Sequence, residues 1–363
     1  MAPTSINRWL EGPLLSPFVN EATFDFYARR IHPQWRLKRV VCRVTEVRPV
    51  SASMRAITLA PNSNWQGFQP GQHVQVFVEI GGIRHTRTYS LCNAPHEARS
   101  LTIAIKRQPG GLVSTHLHDH LAVGDLLEIG QAWGETRRLA SPDQPRLFIA
   151  GGSGITPVMS HLQDLAATRP STDVVLMQYA PSEDEIAFQR ELALLERTMP
   201  GFRRFVLITR DHGDRPGVGR FCADHLGRAV PDASKRSALV CGPHALVEAV
   251  RSIWQERAYA SPISCESFSP PEPVDSEAKP VQLSFDRSGM RVTGRSGRSL
   301  LEQAEASGLR PASGCRMGIC FTCSCQKRSG TVRNRLTGLV SSEPDELIRL
   351  CVSDPLSDVA IDL

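Results

Sequence analysis

RLFIAGGSGITPVMSHLQDLAAT, residues 146–168, joins two patterns at a run of glycines. RLFIA is a short apolar run, which suits a buried strand, and TPVMSHLQDLAAT has the spacing of an amphipathic helix. Between them lie Gly151, Gly152, Ser153, Gly154, Ile155, Thr156 and Pro157. Glycines there let the backbone come close to a pyrophosphate, and the N-terminus of the following helix attracts its charge. The turn is not GxGxxG, so a standard Rossmann dehydrogenase is not supported.

Downstream, VVLMQYA, FRRFVLIT and ALVCG read as strands, separated by the helical stretches AFQRELALLERT and ALVEAVRSIWQE. Strand–helix alternation predicts a parallel α/β sheet. Upstream the pattern differs. VVCRVTEV, MRAITLA, HVQVFVEI, HTRTYSLC, LTIAIKR and DLLEIG are short alternating runs, broken by Pro70-Gly71 and Gly81-Gly82. Strands without intervening helices predict an antiparallel barrel or sandwich. Residues 1–37 read as an N-terminal extension with one amphipathic stretch, TFDFYARRI, and residues 269–280 as a Pro- and charge-rich linker. The expected division is 1–37, 38–142, 143–268, 269–280 and a compact module over 281–363.

A chain of 363 residues is too long for one ordinary core. With 41% hydrophobic and 22% charged residues it is not disordered throughout. The net charge of +5 comes without a Lys/Arg block, which argues against nucleic acid as a partner. No apolar run approaches a membrane span, and MAPTSINRWLEG lacks the marks of a secretory signal. The expected location is cytoplasmic, peripheral at the inner membrane only through a partner. Five of the ten cysteines follow residue 314, a bias that means metal or redox chemistry in such a compartment.

GCRMGICFTC places Cys315, Cys320 and Cys323 at C-x4-C-x2-C, with Cys351 downstream. This is the ligand spacing of plant-type [2Fe–2S] ferredoxins. Zinc sites pair two elbows, and only one loop exists here. Cys325 is assigned to packing. The flanks SLLEQAEASGLRPASGC, SGTVRN and RLCVSDPLSDVAIDL also resemble ferredoxins, which implies a β-grasp domain. Arg316, Lys327, Arg328, Arg333 and Arg335 crowd this region, so an acidic partner face is expected against the bland reading that they are merely solvated.

Arg87, Thr88, Tyr89 and Ser90 form an RxYS tetrapeptide, and Gly110, Gly111 and Ser114 open a helical stretch about twenty residues later. A Gly pair before a helix is a phosphate cradle. With GGSGITP and the later Cys241-Gly242-Pro243, the order resembles the ferredoxin–NADP reductase family. The resemblance implies FAD, or FMN as in some relatives. It implies that Tyr89 stacks on the isoalloxazine, Ser90 bonds near its reactive nitrogen, and Arg87 and Ser114 meet the pyrophosphate, with Lys106 along the same site. It puts Cys241 beside the nicotinamide and Phe268 toward the flavin. GQAWGETRR departs from the family's pattern. His116, His118 and His120 invite a metal reading, but no third ligand pattern supports it.

Thr209-Arg210 and Arg220 resemble the pair that grips the 2′-phosphate of NADPH, since Arg forks suit a phosphate dianion. Glu183, Asp184 and Glu185 could instead approach a ribose, which keeps NADH as the alternative. The three modules imply a relay: hydride brings two electrons, flavin exchanges them in pairs or singly, and the cluster carries one. The expected function is an NAD(P)H-dependent flavin and iron–sulfur reductase serving a terminal oxygenase, with a membrane fatty-acyl desaturase as the closest likeness. The reductase of an aromatic-ring dioxygenase or cytochrome P450 is the alternative, and a redox-sensing protein the outlier.

Overall fold

The computed structural model describes residues 21–96, 100–134, 144–210, 218–268, 279–318 and 321–363. It divides into two compact units, Met1–Glu266 and Ser267–Leu363. The first contains two sheets. The six strands of one are β1 (Val40–Pro49), β2 (Met54–Pro61), β3 (His73–Ile80), β4 (Ile83–Ser90), β5 (Leu101–Lys106) and β6 (Leu126–Ile129), in the order β4-β3-β6-β1-β2-β5. Neighbours run antiparallel, and a bridge from Leu91 to Ile103 returns the end of β4 to β5, so the sheet curls into a barrel.

Its register is set locally. Gly81 and Gly82 both have positive φ and form a two-residue hairpin loop that an L side chain would strain. Val74, Val76 and Val78 then face the core with Val44, Leu59, Ile103 and Ile105. Tyr89 lies opposite Val74 and Arg87 opposite Val76. Ahead of the barrel, helix α1 (Glu21–Ile31) covers the stretch expected to be amphipathic and starts two residues before it. It buries Ala28, and its Asp25 carboxylate accepts from the Leu37 amide at 2.8 Å. Helix α2 (Leu112–His120) follows β5.

The second sheet comprises β7 (Arg146–Gly151), β8 (Val174–Ala180), β9 (Phe202–Ile208), β10 (Ser237–Gly242) and β11 (Ile263–Ser267), in the order β11-β10-β7-β8-β9. The β10–β7, β7–β8 and β8–β9 pairs are parallel. Helices α3 (Ile155–Thr168), α4 (Gln189–Thr198), α5 (Ala223–Ala229) and α6 (His244–Glu256) alternate with the strands. Every residue of β7, β8 and β10 is buried, as expected of strands covered on both faces.

The barrel and this sheet meet along a seam tied by hydrogen bonds and ion pairs. Phe188 N donates to Val50 O at 3.2 Å, and Ser160 Oγ donates to Asn93 O at 2.8 Å. Arg48 pairs with Glu191. Gly71 takes φ +83°, and a Cβ there would lie 2.8 Å from His161 Nε2. Burial pulls His161 down to about 4, helped by the charge of Arg146. Burial likewise holds His73 at about 4, against a hydrogen bond with the Gly71 backbone.

The second unit carries β12 (Pro280–Phe285), β13 (Met290–Arg295), β14 (Ser324–Ser329), β15 (Val332–Asn334), β16 (Val340–Ser341), β17 (Glu346–Arg349), β18 (Ser353–Pro355) and β19 (Val359–Ile361). The five-stranded sheet has the order β13-β12-β19-β14-β17, with β12–β19 parallel, and a small sheet has the order β16-β15-β18. Helix α7 (Leu300–Ala306) begins with a capping box between Ser299 and Glu302 and buries Leu300, Leu301 and Ala304 in this unit's core. One helix on a mixed sheet is the expected β-grasp. Among the described residues no helix is long and apolar enough to cross a membrane.

His161 at the seam and His73 within the barrel make the first unit acid-sensitive. Each ordinarily titrates near 6.5 but is held near 4 when folded, so between those values the unfolded chain binds more protons and stability falls with pH. Going from pH 7 to pH 5 should cost about 2 kcal/mol per histidine, read as a lower urea midpoint. His161→Phe should remove about half of that dependence.

Candidate active site

β7 and β10 are neighbours in register, Cys241 opposite Ala150, so the Gly151–Gly154 turn and the Cys241-Gly242-Pro243 turn leave the sheet side by side. They pack backbone to backbone. A Cβ on Gly154 would collide with the Cys241 carbonyl, and one on Gly242 would lie 3.1 Å from Gly151 Cα. Gly152 takes φ +55°, and Thr156 Oγ1 donates to Ser153 O at 2.9 Å, tying the turn to the first turn of α3. Pro157 sits in that first turn, where its missing N–H costs no helical bond. The Cys241 side chain is fully buried at the strand end.

This cradle stands at the carboxyl edge of the sheet, where open α/β folds bind ligands. At the same edge an isolated parallel bridge joins Ile208 to Val218, and Gly219 N donates to Ile208 O at 2.8 Å. Arg210 and Arg220 therefore follow at equivalent positions. Both are exposed, and among the described residues neither is ion-paired. In the acidic turn, Glu183 and Asp184 are exposed. Glu185 faces the barrel, accepting from Ser53 Oγ at 2.6 Å and lying 3.9 Å from Lys106 Nζ.

On the barrel, Tyr89 is half-buried, and burial pushes its phenol up against the opposing pull of Arg87. Arg87 Nη1 donates to Thr86 O at 2.8 Å. Thr88 points to the other face of β4 with its Oγ1 buried and unpartnered, and Ser90 is buried at the strand end. Gly110 takes φ +70° over open space, and Gly111 caps α2. Ser114 turns inward: its Oγ accepts from Gln108 N at 3.1 Å and donates to Gly111 O at 3.3 Å, bracing the loop. The loop borders a cleft of about 810 Å³ lined by Ser53, Arg107, Gly110, Thr115, His116 and His120. His118 is buried on Ile105 O at 2.7 Å, while His116 and His120 stack at 4.5 Å. Residues 135–138 of GQAWGETRR lie outside the described residues. Phe268 follows β11, half-buried, next to the boundary of the two units.

In the second unit, Cys315, Cys323 and Cys351 are buried. A hydrogen bond with Cys323, then burial, then the charges of Cys323 and Cys315 push the Cys351 thiol up. Backbone amides already point at sulfur: Gly318 N donates to Cys351 Sγ at 3.2 Å and Met317 N to Cys315 Sγ at 3.4 Å. Gly318 takes φ +73°, and a Cβ there would press on Leu336 and Val352. These features fit a thiolate-bound cluster. Cys320 lies outside the described residues, and among those described no three metal-ligating side chains close into one set.

Much of the basic cluster is paired within its own unit. Lys327 is 0% exposed and bonds Glu346, Gly330 O and Ser341 O. Arg316 pairs with Glu305, Arg328 with Asp345 and Asp362, and Arg333 with Asp354. The loop instead presents Phe321, 58% exposed at φ +53°, with the Arg349 guanidinium 4.7 Å over its ring. Sequence reasoning passed over Phe321, although its place between two predicted ligands marked it.

A barrel with a phosphate-type loop, a nucleotide cradle and a thiol-lined loop together define a flavin- and pyridine-nucleotide-dependent iron–sulfur oxidoreductase. Family models agree: "Oxidoreductase FAD-binding domain" matches residues 41–137, "Oxidoreductase NAD-binding domain" 148–252, and "2Fe-2S iron-sulfur cluster binding domain" 284–356. The chain is 31% identical to an NADPH oxidoreductase of Mycobacterium tuberculosis, covering 93% of this chain and 88% of that one. It is 31% identical to the glycine betaine monooxygenase reductase subunit of Pseudomonas aeruginosa, covering 81% and 87%. Its structure matches phthalate dioxygenase reductase, a modular structure for electron transfer from pyridine nucleotides to [2Fe–2S], with TM-score 0.61 and 25% identity over 90% of this chain and 98% of that one. The chain belongs to the ferredoxin–NADP reductase-like oxidoreductases that carry a C-terminal 2Fe-2S domain.

Gly154→Ala should weaken NADP⁺ binding about tenfold or more, measured by difference-spectrum titration, with the flavin spectrum unchanged. Cys351→Ser should lose the visible absorption of the cluster and keep that of the flavin.

Proposed function

We propose that the protein takes hydride from NADPH at the seam of its first unit and delivers single electrons through its C-terminal unit to a terminal oxygenase. When bound, the flavin accepts an electron pair and releases it one electron at a time. The chain's own residues align and tune. Tyr89 offers a ring face, and Arg87, Gly110 and Gly111 offer charge and open backbone to the flavin phosphates. Ser114 serves by bracing that loop. Ser90, Thr88 and Lys106 line the same strand ends. Gly151, Gly152, Ser153, Gly154, Thr156 and Pro157 form the floor for the nucleotide pyrophosphate, beside Cys241, Gly242 and Pro243. Cys315, Cys320, Cys323 and Cys351 hold the irons. Phe268 directly follows β11, the last strand of the nucleotide sheet.

The observation that carries this reading is the glycine-to-glycine contact of the two nucleotide turns. No side chain fits there, and a sensor without a hydride path needs no such floor. Two observations favour NADPH. Arg210 and Arg220 emerge together with no counter-ion among the described residues, and Glu185 is engaged by the barrel. A relative bearing the name NADPH oxidoreductase supports the same choice.

For the acceptor, the relatives' names favour an oxygenase over the desaturase: one is the reductase subunit of a glycine betaine monooxygenase, another structure a phthalate dioxygenase reductase. The desaturase reading rests on overall likeness, of the N-terminal extension and the GFQPGQHVQV stretch, and not on a site. The double variant Arg210→Gln/Arg220→Gln should raise the KM for NADPH about tenfold or more, leaving that for NADH unchanged, in cytochrome c reduction by the holoprotein. Equal use of both nucleotides by the wild type would contradict the preference.

A further inference from the structure

Glu185 belongs to no flavin or nucleotide motif. It lies in a short turn, Glu183–Glu185, after β8. Its Oε2 accepts from Ser53 Oγ at 2.6 Å and Ser51 Oγ at 3.3 Å, both on the loop between β1 and β2. The same oxygen lies 3.9 Å from Lys106 Nζ. The backbone beside it is pinned as well, because Ala52 N donates to Asp184 O at 2.9 Å.

Lys106 ends β5, and its Nζ would stand 4.0 Å from a Cβ on Gly152. An isolated antiparallel bridge between Leu91 and Ile103 sets the end of β4 beside β5. Lys106 therefore stands on the flavin barrel with its ammonium beside the nucleotide turn. Its side chain is 24% exposed and that of Glu185 19%. A pair this sheltered interacts through a lower effective dielectric than a surface pair.

From these contacts the geometry points to Glu185 as a positioning residue for hydride transfer, which anchors Lys106 over the Gly152 turn and offsets its charge. The inference rests on the flavin and nucleotide reading above. Two serines fix the carboxylate, so the lysine is placed without both long side chains having to find one geometry. An uncompensated ammonium would grip the anionic nucleotide and favour the reduced, more negative flavin. The carboxylate moderates both effects, so that oxidised nucleotide leaves and the flavin remains a strong enough donor for the cluster.

The test uses the holoprotein with Glu185→Gln, Lys106→Met and the double variant. Gln keeps an acceptor for both serines, so the fold is retained. Glu185→Gln should lower the Kd for NADP⁺ about two- to fivefold and raise the flavin midpoint potential. Lys106→Met should shift both quantities the opposite way, and the double variant should return them close to the wild type. Ser53→Ala, which loosens the carboxylate but keeps its charge, should give a smaller shift in the direction of Glu185→Gln. Shifts of the same sign in Glu185→Gln and Lys106→Met, or no shift in either, would reduce Glu185 to a staple between loop and barrel and overturn the inference. Failure of both NADPH and NADH to bleach the wild-type flavin would instead overturn the reading beneath it.

Discussion

The close approach of Gly154 to the backbone of Cys241 is the constraint on which the first unit's chemistry depends. Two turns separated by almost ninety residues must touch without side chains. That requires β7 and β10 to be adjacent and parallel, with both turns leaving the same edge. Once they do, backbone amides and a helix N-terminus converge on one place, and the neighbouring strands bring Arg210, Arg220 and Glu185 to the same edge. The barrel completes the arrangement across the seam, where Ser160, Phe188 and Ala52 bond across to their partners.

The seam is closely packed at Gly71. Gly71 admits His161 at a distance that a side chain would forbid, and burial keeps both His161 and His73 neutral at ordinary pH. Charge enters the seam as opposite pairs, Arg48 with Glu191 and Lys106 with Glu185. The C-terminal unit follows a similar economy. Most of its basic residues near the thiols are paired with carboxylates of the same unit, so its exposed face at the loop is aromatic, with one guanidinium stacked on it.

Much of this was legible in the sequence because it is local. Glycine turns between an apolar run and a helix, the RxYS strand, and the Cys315-Cys320-Cys323 spacing are each contained in a few residues, and backbone chemistry dictates their shape. What escaped was set by partners far away in the chain. Glu185 read as a ribose ligand because its serines and lysine lie more than seventy residues upstream. Lys327 read as a surface charge, although strand pairing buries it beside Glu346. Phe321 hid in plain view, since neither its exposure nor its left-handed backbone leaves a mark in composition.

The central claim is that electrons enter this chain in pairs and leave it singly. Anaerobic addition of one equivalent of NADPH to the holoprotein, followed by absorption and electron paramagnetic resonance together, tests that directly. The account predicts loss of oxidised-flavin absorption accompanied by the paramagnetic signal of a reduced [2Fe–2S] cluster. A flavin that bleaches fully while the cluster stays oxidised and silent would contradict it.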